Sequence, residues 1–463
     1  LSIAGLSIDK GIVDMERFAL KSNSATLVKA TGQVYGVEKG KVDLAVKNIH
    51  LGQKDGKPDW SLAVDQLYIQ NPNSLVLGKR GNKLTLKEAT IGNFLLSSSS
   101  LADANSIFRN NVAASLKATT GEYIDSNTTL KWYNAGYDAG RKVFRLDSFS
   151  YHPTVPQDTL VARTPYQIDY ITFNAGPIEL TGFDLTQYKK DSALVANTMS
   201  IQSPLISIFR DKQPPMKNGV LKALPTDMIK GISFPLNIQR INLVDGILAY
   251  TEKNGRTRAE GTLVLNRLNG GLGNIRNGGL RPNDSLLISL NAYLLDSAFI
   301  DLRVKESYTD SLSGFLMTLR MRPTSLSFLN PVLAPLSNVK ITSGTIDSFR
   351  LRAIGRDDLA FGEMNMFYHD LRIKLVKDGD ENKSSFLGNI ASALVNTFFV
   401  RKNNNGRTGL VYYQRLRDRS FFNYIVKTTF SGIATSVGVK KNRKYLKRYR
   451  RSLQSNQLPE IEL

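Results

Sequence analysis

Residues Gly362 to Val376, GEMNMFYHDLRIKLV, decide how the chain is read. Met364, Met366 and Tyr368 alternate with Asn365 and Phe367. His369 and Asp370 then intervene, before Leu371, Ile373 and Leu375 alternate with Arg372 and Lys374. Strand side chains point to opposite faces with a period of two, so the inserted pair would turn the apolar set outward unless a bulge absorbs a residue. The spacing predicts one long strand, bulged or bent at the insertion, with a single apolar face.

The same pattern, apolar-x-apolar-x-x-apolar-x-apolar, recurs along the chain. It appears at Leu44, Val46, Ile49 and Leu51; at Leu62, Val64, Leu67 and Ile69; and at Leu84, Leu86, Ala89 and Ile91. Further copies are Phe144, Leu146, Phe149 and Tyr151; Tyr166, Ile168, Ile171 and Phe173; Ile178, Leu180, Phe183 and Leu185; and Leu236, Ile238, Ile241 and Leu243. The copies are irregularly spaced, so this is a repeated strand grammar and not a fixed-period solenoid. The fold class it predicts is mainly β: an elongated, twisted antiparallel sheet that curls into a U-shaped groove, with a few short helices. A sandwich or barrel would instead bury the same faces against each other.

Three regions are expected: β-groove portions over 1–213 and 231–378, and an amphipathic, basic helical end over 384–463. Asp211 to Pro215 marks the internal boundary, because its two prolines end strands and little alternation follows before Lys230. Phe234 to Arg267 reads as hairpin material, with turns at Asp245-Gly246 and Asn254-Gly255. The glycine-rich Asn269 to Gly273 lacks the spacing and the following helix of a nucleotide loop, and reads as a turn. Thr324 to Ser337 reads as a short helix pair broken by Pro331 and Pro335. Ser384 to Val400 has helical spacing. A second amphipathic helix starts near Asp418 as its cap and carries Phe422, Ile425, Thr429, Ile433 and Val437 on one face.

Composition narrows the chemistry. The 463 residues hold no cysteine, which removes disulfides, thiolate nucleophiles and cysteine metal sites. His50, His152 and His369 stand apart from one another, with no metal-ligand spacing and no nucleophile elbow nearby. The Asp357-Asp358 doublet reads as a solvated loop. No catalytic constellation, metal site or cofactor is expected, and the chain is read as non-enzymatic. No run of 18 apolar residues occurs to span a bilayer as a helix. The chain opens inside a strand pattern and is read as a fragment, with an upstream part expected before it.

The net charge is +21, and between Arg401 and Arg451 fifteen Lys or Arg face one acid, Asp418, a local balance of +14. Eight basic residues fall in the twelve from Lys440: Lys440, Lys441, Arg443, Lys444, Lys447, Arg448, Arg450 and Arg451. Such a block can be a solvated end, a dock for anionic lipid, or a nucleic-acid contact. The amphipathic helix before it favours the membrane surface, with Phe422 and Ile425 joining the basic residues as contacts. The mildly basic remainder disfavours nucleic acid.

Several stretches resemble the AsmA-like envelope proteins of Bacteroidetes, a family related to TamB and to bridge-like lipid-transfer proteins. Ile241 to Glu252 resembles their strand-turn-strand repeat, as does Val339 to Arg352 with its Ser343-Gly344-Thr345-Ile346-Asp347. Gly362 to Val376, followed by an amphipathic helix and a basic end, is similar to their C-terminal part. The resemblance implies a periplasmic β-groove whose parent protein is anchored in the inner membrane. It would move phospholipid toward the outer membrane and help keep that membrane intact, with other envelope proteins as partners. The groove wall would then be lined by Leu236, Ile238, Ile241, Leu243, Met364, Met366, Ile373 and Leu375. The alternative is a structural or assembly protein of the envelope with a closed β core and no lipid.

Overall fold

The computed structural model describes residues 13–15, 18–22, 25–30, 33–37, 41–54, 57–70 and 83–97, then 115–375 apart from 139, 218 and 338, and finally 400–438, 442–447 and 451. The chain is mainly β, with few short helices, and its sheet is mixed and not closed. It divides into two compact units that interleave in sequence: 1–156, 172–204 and 234–241, and 157–171, 205–233 and 242–463. The prolines after Asp211 therefore lie inside the second unit and do not separate the two.

In the first unit, β1 (Lys41–Lys54), β2 (Lys57–Gln70), β3 (Lys83–Ser97) and β4 (Ser115–Ile124) pair antiparallel, each with the next. The two-residue step in the pattern becomes a bulge here. The β1–β2 register shifts on both sides of Val46, between Ala45 and Val46 and again between Val46 and Asn48. The unit continues with β5 (Thr128–Tyr133), β6 (Gly136–Asp138), β7 (Val143–Leu146), β8 (Ser148–Pro153), β9 (Tyr170–Ala175), β10 (Ile178–Thr181) and β11 (Leu194–Gln202). In the copy Phe144, Leu146, Phe149 and Tyr151, the same step is the break between β7 and β8.

In the second unit, β12 (Leu205–Asp211) runs parallel to the 247–253 half of β13 (Leu236–Lys253), which departs from the expected all-antiparallel sheet. A parallel pair needs a crossover rather than a tight turn. Residues 212–235, with helix α1 (Pro225–Lys230), supply it. That is why this piece shows proline and little alternation. The sheet goes on antiparallel through β14 (Glu260–Arg276), β15 (Ser285–Leu294), β16 (Ala298–Ser307), β17 (Phe315–Met321), β18 (Val339–Gly355), β19 (Leu359–Leu375) and β20 (Gly409–Gln414).

Two predicted turns are bulged strand instead. Asp245-Gly246 lies within β13, where Asp245 takes φ 51° and its amide donates to Asn269 Oδ1 at 2.9 Å. Asn269 to Gly273 lies within β14, where the register against β15 shifts between Asn266 and Asn269. Gly270 has φ 125°, and a Cβ there would meet the Ser289 carbonyl oxygen at 2.1 Å, so only glycine fits. The Asn254-Gly255 turn does join β13 to β14.

β19 carries out the reading of its sequence. Met364, Met366 and Tyr368 are buried, His369 and Asp370 are both exposed, and burial resumes at Leu371. Asp370 takes φ 55°, and between the pairs Thr345↔His369 and Ser343↔Arg372 two residues of β19 face one of β18. The bulge keeps all four apolar side chains on one face.

Helices close that face. A 3-10 turn (Leu326–Leu329) leads into α2 (Asn330–Ser337), so two helical pieces are present, but the prolines do not break them: Pro331 is the second residue of α2 and Pro335 lies inside it. Leu326, Val332, Leu333 and Leu336 are buried there. Helix α3 (Phe421–Ser436) is capped by Ser420, whose hydroxyl accepts from the Asn423 amide at 3.3 Å, and not by Asp418. Its buried stripe is Tyr424, Thr428, Gly432 and Ser436, one turn apart. Of the helix predicted over Ser384 to Val400, only Val400 is among the described residues, and it is not helical.

Candidate functional site

The first unit carries an apolar sheet face assembled row by row. Trp132, Phe149 and Ala175 are opposite one another across β5, β8 and β9, and Leu130, Tyr151 and Phe173 form the next row. Leu146, Ile178 and Ile201 form a row across β7, β10 and β11, and Phe144, Leu180 and Met199 another. Ala135, Leu146, Ala175 and Ile178 are buried at its centre, while Trp132, Phe144, Phe149, Phe173, Met199 and Ile201 around them are only half-buried. Phe149 and Phe173 pack with ring centroids 6.0 Å apart. Large half-buried apolar groups on one sheet face offer area to an apolar ligand.

The opposite face is polar. Alternation places Lys131, Tyr133, Ser148, Ser150 and Asn174 there. They line an open depression of about 370 Å³ that Trp132, Phe149 and Ala175 also border, and in which Lys131 reaches Glu122 at 3.9 Å. Of the residues in the apolar rows the sequence pattern reaches Phe144, Leu146, Phe149, Tyr151, Phe173, Ile178 and Leu180. Trp132, Met199 and Ile201 escape it, because their strands lack the doubled motif.

The residues predicted to line a groove have different fates. Leu236 and Ile238 are buried, and Ile241 and Leu243 half-buried. Met364 and Met366 are sealed within the second unit's core, together with Leu351, Val411 and Tyr424, so they offer no open wall. The physical cause is α3: its Gly432 presents no side chain, and the helix settles onto Met364. Ile373 is half-buried against the same core, and of Leu375 only the backbone is described.

The predicted membrane contacts divide likewise. Phe422 and Ile425 face inward onto the core, Phe422 with its ring 6.1 Å from that of Tyr250, which corrects their assignment to a membrane surface. Arg443, Lys444, Lys447 and Arg451 are exposed. Lys440, Lys441, Arg448 and Arg450 lie outside the described residues.

Beneath α3 sits a cluster of charge that sequence reading missed. Arg210 chelates Asp169 with two nitrogens, and Lys212 Nζ lies 3.5 Å from Glu252 Oε2, both side chains being almost fully covered. The Tyr250 hydroxyl donates to Glu252 at 3.1 Å, and burial pushes its pKa up. Burial, then the neighbouring Lys212 charge, brings Lys427 on α3 down to about 8. A second buried acid, Glu306, accepts from the Thr226 hydroxyl at 2.8 Å and its amide at 3.3 Å at the start of α1. Burial raises its pKa to about 7. These groups sit among strand alternation as ordinary polar letters, so nothing local announces that they are buried.

Asp357, its side chain 42 % exposed, pairs with Arg415 at 2.6 Å and Arg417 at 2.8 Å, and Asp358 beside it is exposed, so the doublet sits in a solvated loop as expected while also holding an ion pair. His369 pairs with Asp347 at 2.9 Å. Among the described residues no group of three or more His, Cys, Asp or Glu is placed to hold a metal ion, and no helix is long and apolar enough to cross a membrane. No family model matches the chain, and no curated protein matches it.

Proposed function

We propose that this chain is a non-enzymatic lipid-binding protein of a bacterial envelope, whose apolar sheet face in the first unit holds acyl chains. The observation that carries this reading is the half-buried aromatic face itself. Trp132, Phe144, Phe149 and Phe173 keep part of their area in water, although a strand pattern of this kind is normally buried. The polar opposite face supports it, since a lipid-bearing sheet has one wet side. The exposed Arg443, Lys444, Lys447 and Arg451 support docking on an anionic membrane surface, where each basic residue contributes about 1 kcal/mol. Within this reading the chain works in the periplasm, its parent protein is anchored in the inner membrane, and it moves phospholipid toward the outer membrane. Other envelope proteins would be its partners, and nucleic acid would not.

The second reading is an envelope structural or assembly protein with a closed core. It is favoured by the second unit, where α2 and α3 cover the apolar face and Met364 and Met366 are dry. Native mass spectrometry of the purified chain in mild detergent separates the two. Phospholipid retained on the chain is expected. A folded, lipid-free chain would support the closed reading.

A further inference from the structure

β20 is six residues long, Gly409–Gln414, and pairs with β19 through one of its two edges. Its sequence, GLVYYQ, is β-prone, uncharged and free of proline, the composition of a segment that pairs readily with its own copy. The other edge is occupied by side chains. Ser431 Oγ on α3 accepts from the Tyr412 amide at 3.1 Å and donates to the Tyr412 carbonyl at 2.6 Å, as the backbone of a neighbouring strand would. One position along, the Leu410 carbonyl accepts from Thr435 Oγ1 at 2.8 Å and from Asn442 Nδ2 at 2.8 Å. Asn442 also donates to Ser431 Oγ at 2.7 Å, which ties the three groups together. Residues 442–447 are helical, and Tyr445 among them stacks on Tyr412 with ring centroids 5.6 Å apart and planes 14° apart.

An edge strand with unpaired backbone groups templates the pairing of another chain, and native proteins cover such edges. Here the cover is made of hydroxyl and amide side chains spaced to match the strand. We propose that β20 is a masked strand-addition edge, that Ser431, Thr435 and Asn442 are its guard, and that its occupant when unmasked is β20 of a second copy. Self-pairing about a two-fold axis at Tyr412 sets Leu410 opposite Gln414 and closes the contact as a dimer.

The test is the Ser431→Ala, Thr435→Ala, Asn442→Ala triple variant of the full chain, followed by sedimentation velocity over a concentration series. The variant is expected to shift from 51.4 kDa toward about twice that mass as concentration rises, while the wild type does not. Adding Tyr412→Pro, which removes the outward N–H together with the ring stacked on Tyr445 and leaves the N–H groups facing β19 in place, is expected to abolish the shift. Ser431→Ala alone is the milder variant, should the triple fail to fold, and is expected to associate at higher concentration. A folded variant that sediments as the wild type does, or association that persists with Tyr412→Pro, would overturn the proposal.

Discussion

Gly432 of α3 lies directly over Met364 of β19: a Cβ added to the glycine would stand 2.7 Å from the methionine Cε and 3.0 Å from its Cβ. This contact turns a predicted groove wall into sealed core, since the helix seats its glycine on the methionine side chain.

The pair should behave as one unit in a double-mutant cycle. Gly432→Val is expected to destabilise by about 2 kcal/mol through overpacking, and Met364→Ala by about 3 kcal/mol through the cavity it leaves. The double variant should cost less than the sum, because the valine fills the vacated space. Urea unfolding of the four proteins measures the coupling. Additive costs would mean the two positions do not share a packing contact.

Glu306 predicts how stability changes with acidity. Its folded pKa of about 7 lies above the 4.5 of a free glutamate, so between those values the folded state holds more protons than the unfolded chain. The favourable contribution is full below pH 4.5 and is lost as pH rises to about 7, a fall of about 3 kcal/mol. Glu306→Gln should flatten this component of the profile, read as the difference between the two proteins' urea midpoints at pH 5 and pH 8. Parallel profiles would contradict the assignment.

Lys427 acts in the alkaline range. Its folded pKa is about 8 against 10.5 when free, so the unfolded chain holds more protons between those values. Stability should therefore rise by about 3 kcal/mol as pH climbs from about 8 to 10.5, and below pH 8 the cost of burying the charge is borne in full. Lys427→Met should remove the rise and leave the protein at least as stable at pH 7. A variant that keeps the rise would assign it to another group.

What was legible in the sequence was local. The bulge at His369 and Asp370 was visible because a period of two cannot absorb an extra residue without one, and the break between β7 and β8 has the same signature. Asp245-Gly246 misled because a turn dipeptide and a bulge both want a positive φ, and only pairing across β13 and β14 separates them. The burial of Met364 was not legible. The stripe that covers it, Tyr424, Thr428, Gly432 and Ser436, contains three small or polar residues, whereas the greasier face through Phe422 and Ile425 looked like the one to bury elsewhere. Lys212 and Glu252 are forty residues apart and meet only through a crossover whose start read as an internal boundary.

The basic end offers a direct binding test. Replacing Arg443, Lys444, Lys447 and Arg451 by Gln should weaken binding to anionic vesicles at least tenfold at low salt, with a shallower salt dependence than the wild type. Vesicle co-sedimentation at several ionic strengths measures both. Unchanged affinity and salt slope would remove the docking role from these four residues.

The central claim, that the half-buried face of the first unit holds acyl chains, is tested most directly at Trp132. The chain has two tryptophans, Trp60 and Trp132, so a Trp60→Phe variant reports from that face alone. Titration with phospholipid brominated on its acyl chains should quench Trp132 fluorescence saturably, while unbrominated lipid should not, and a further Phe149→Asp change should weaken the quenching. A folded variant whose emission is the same in both lipids would contradict the lipid-binding account.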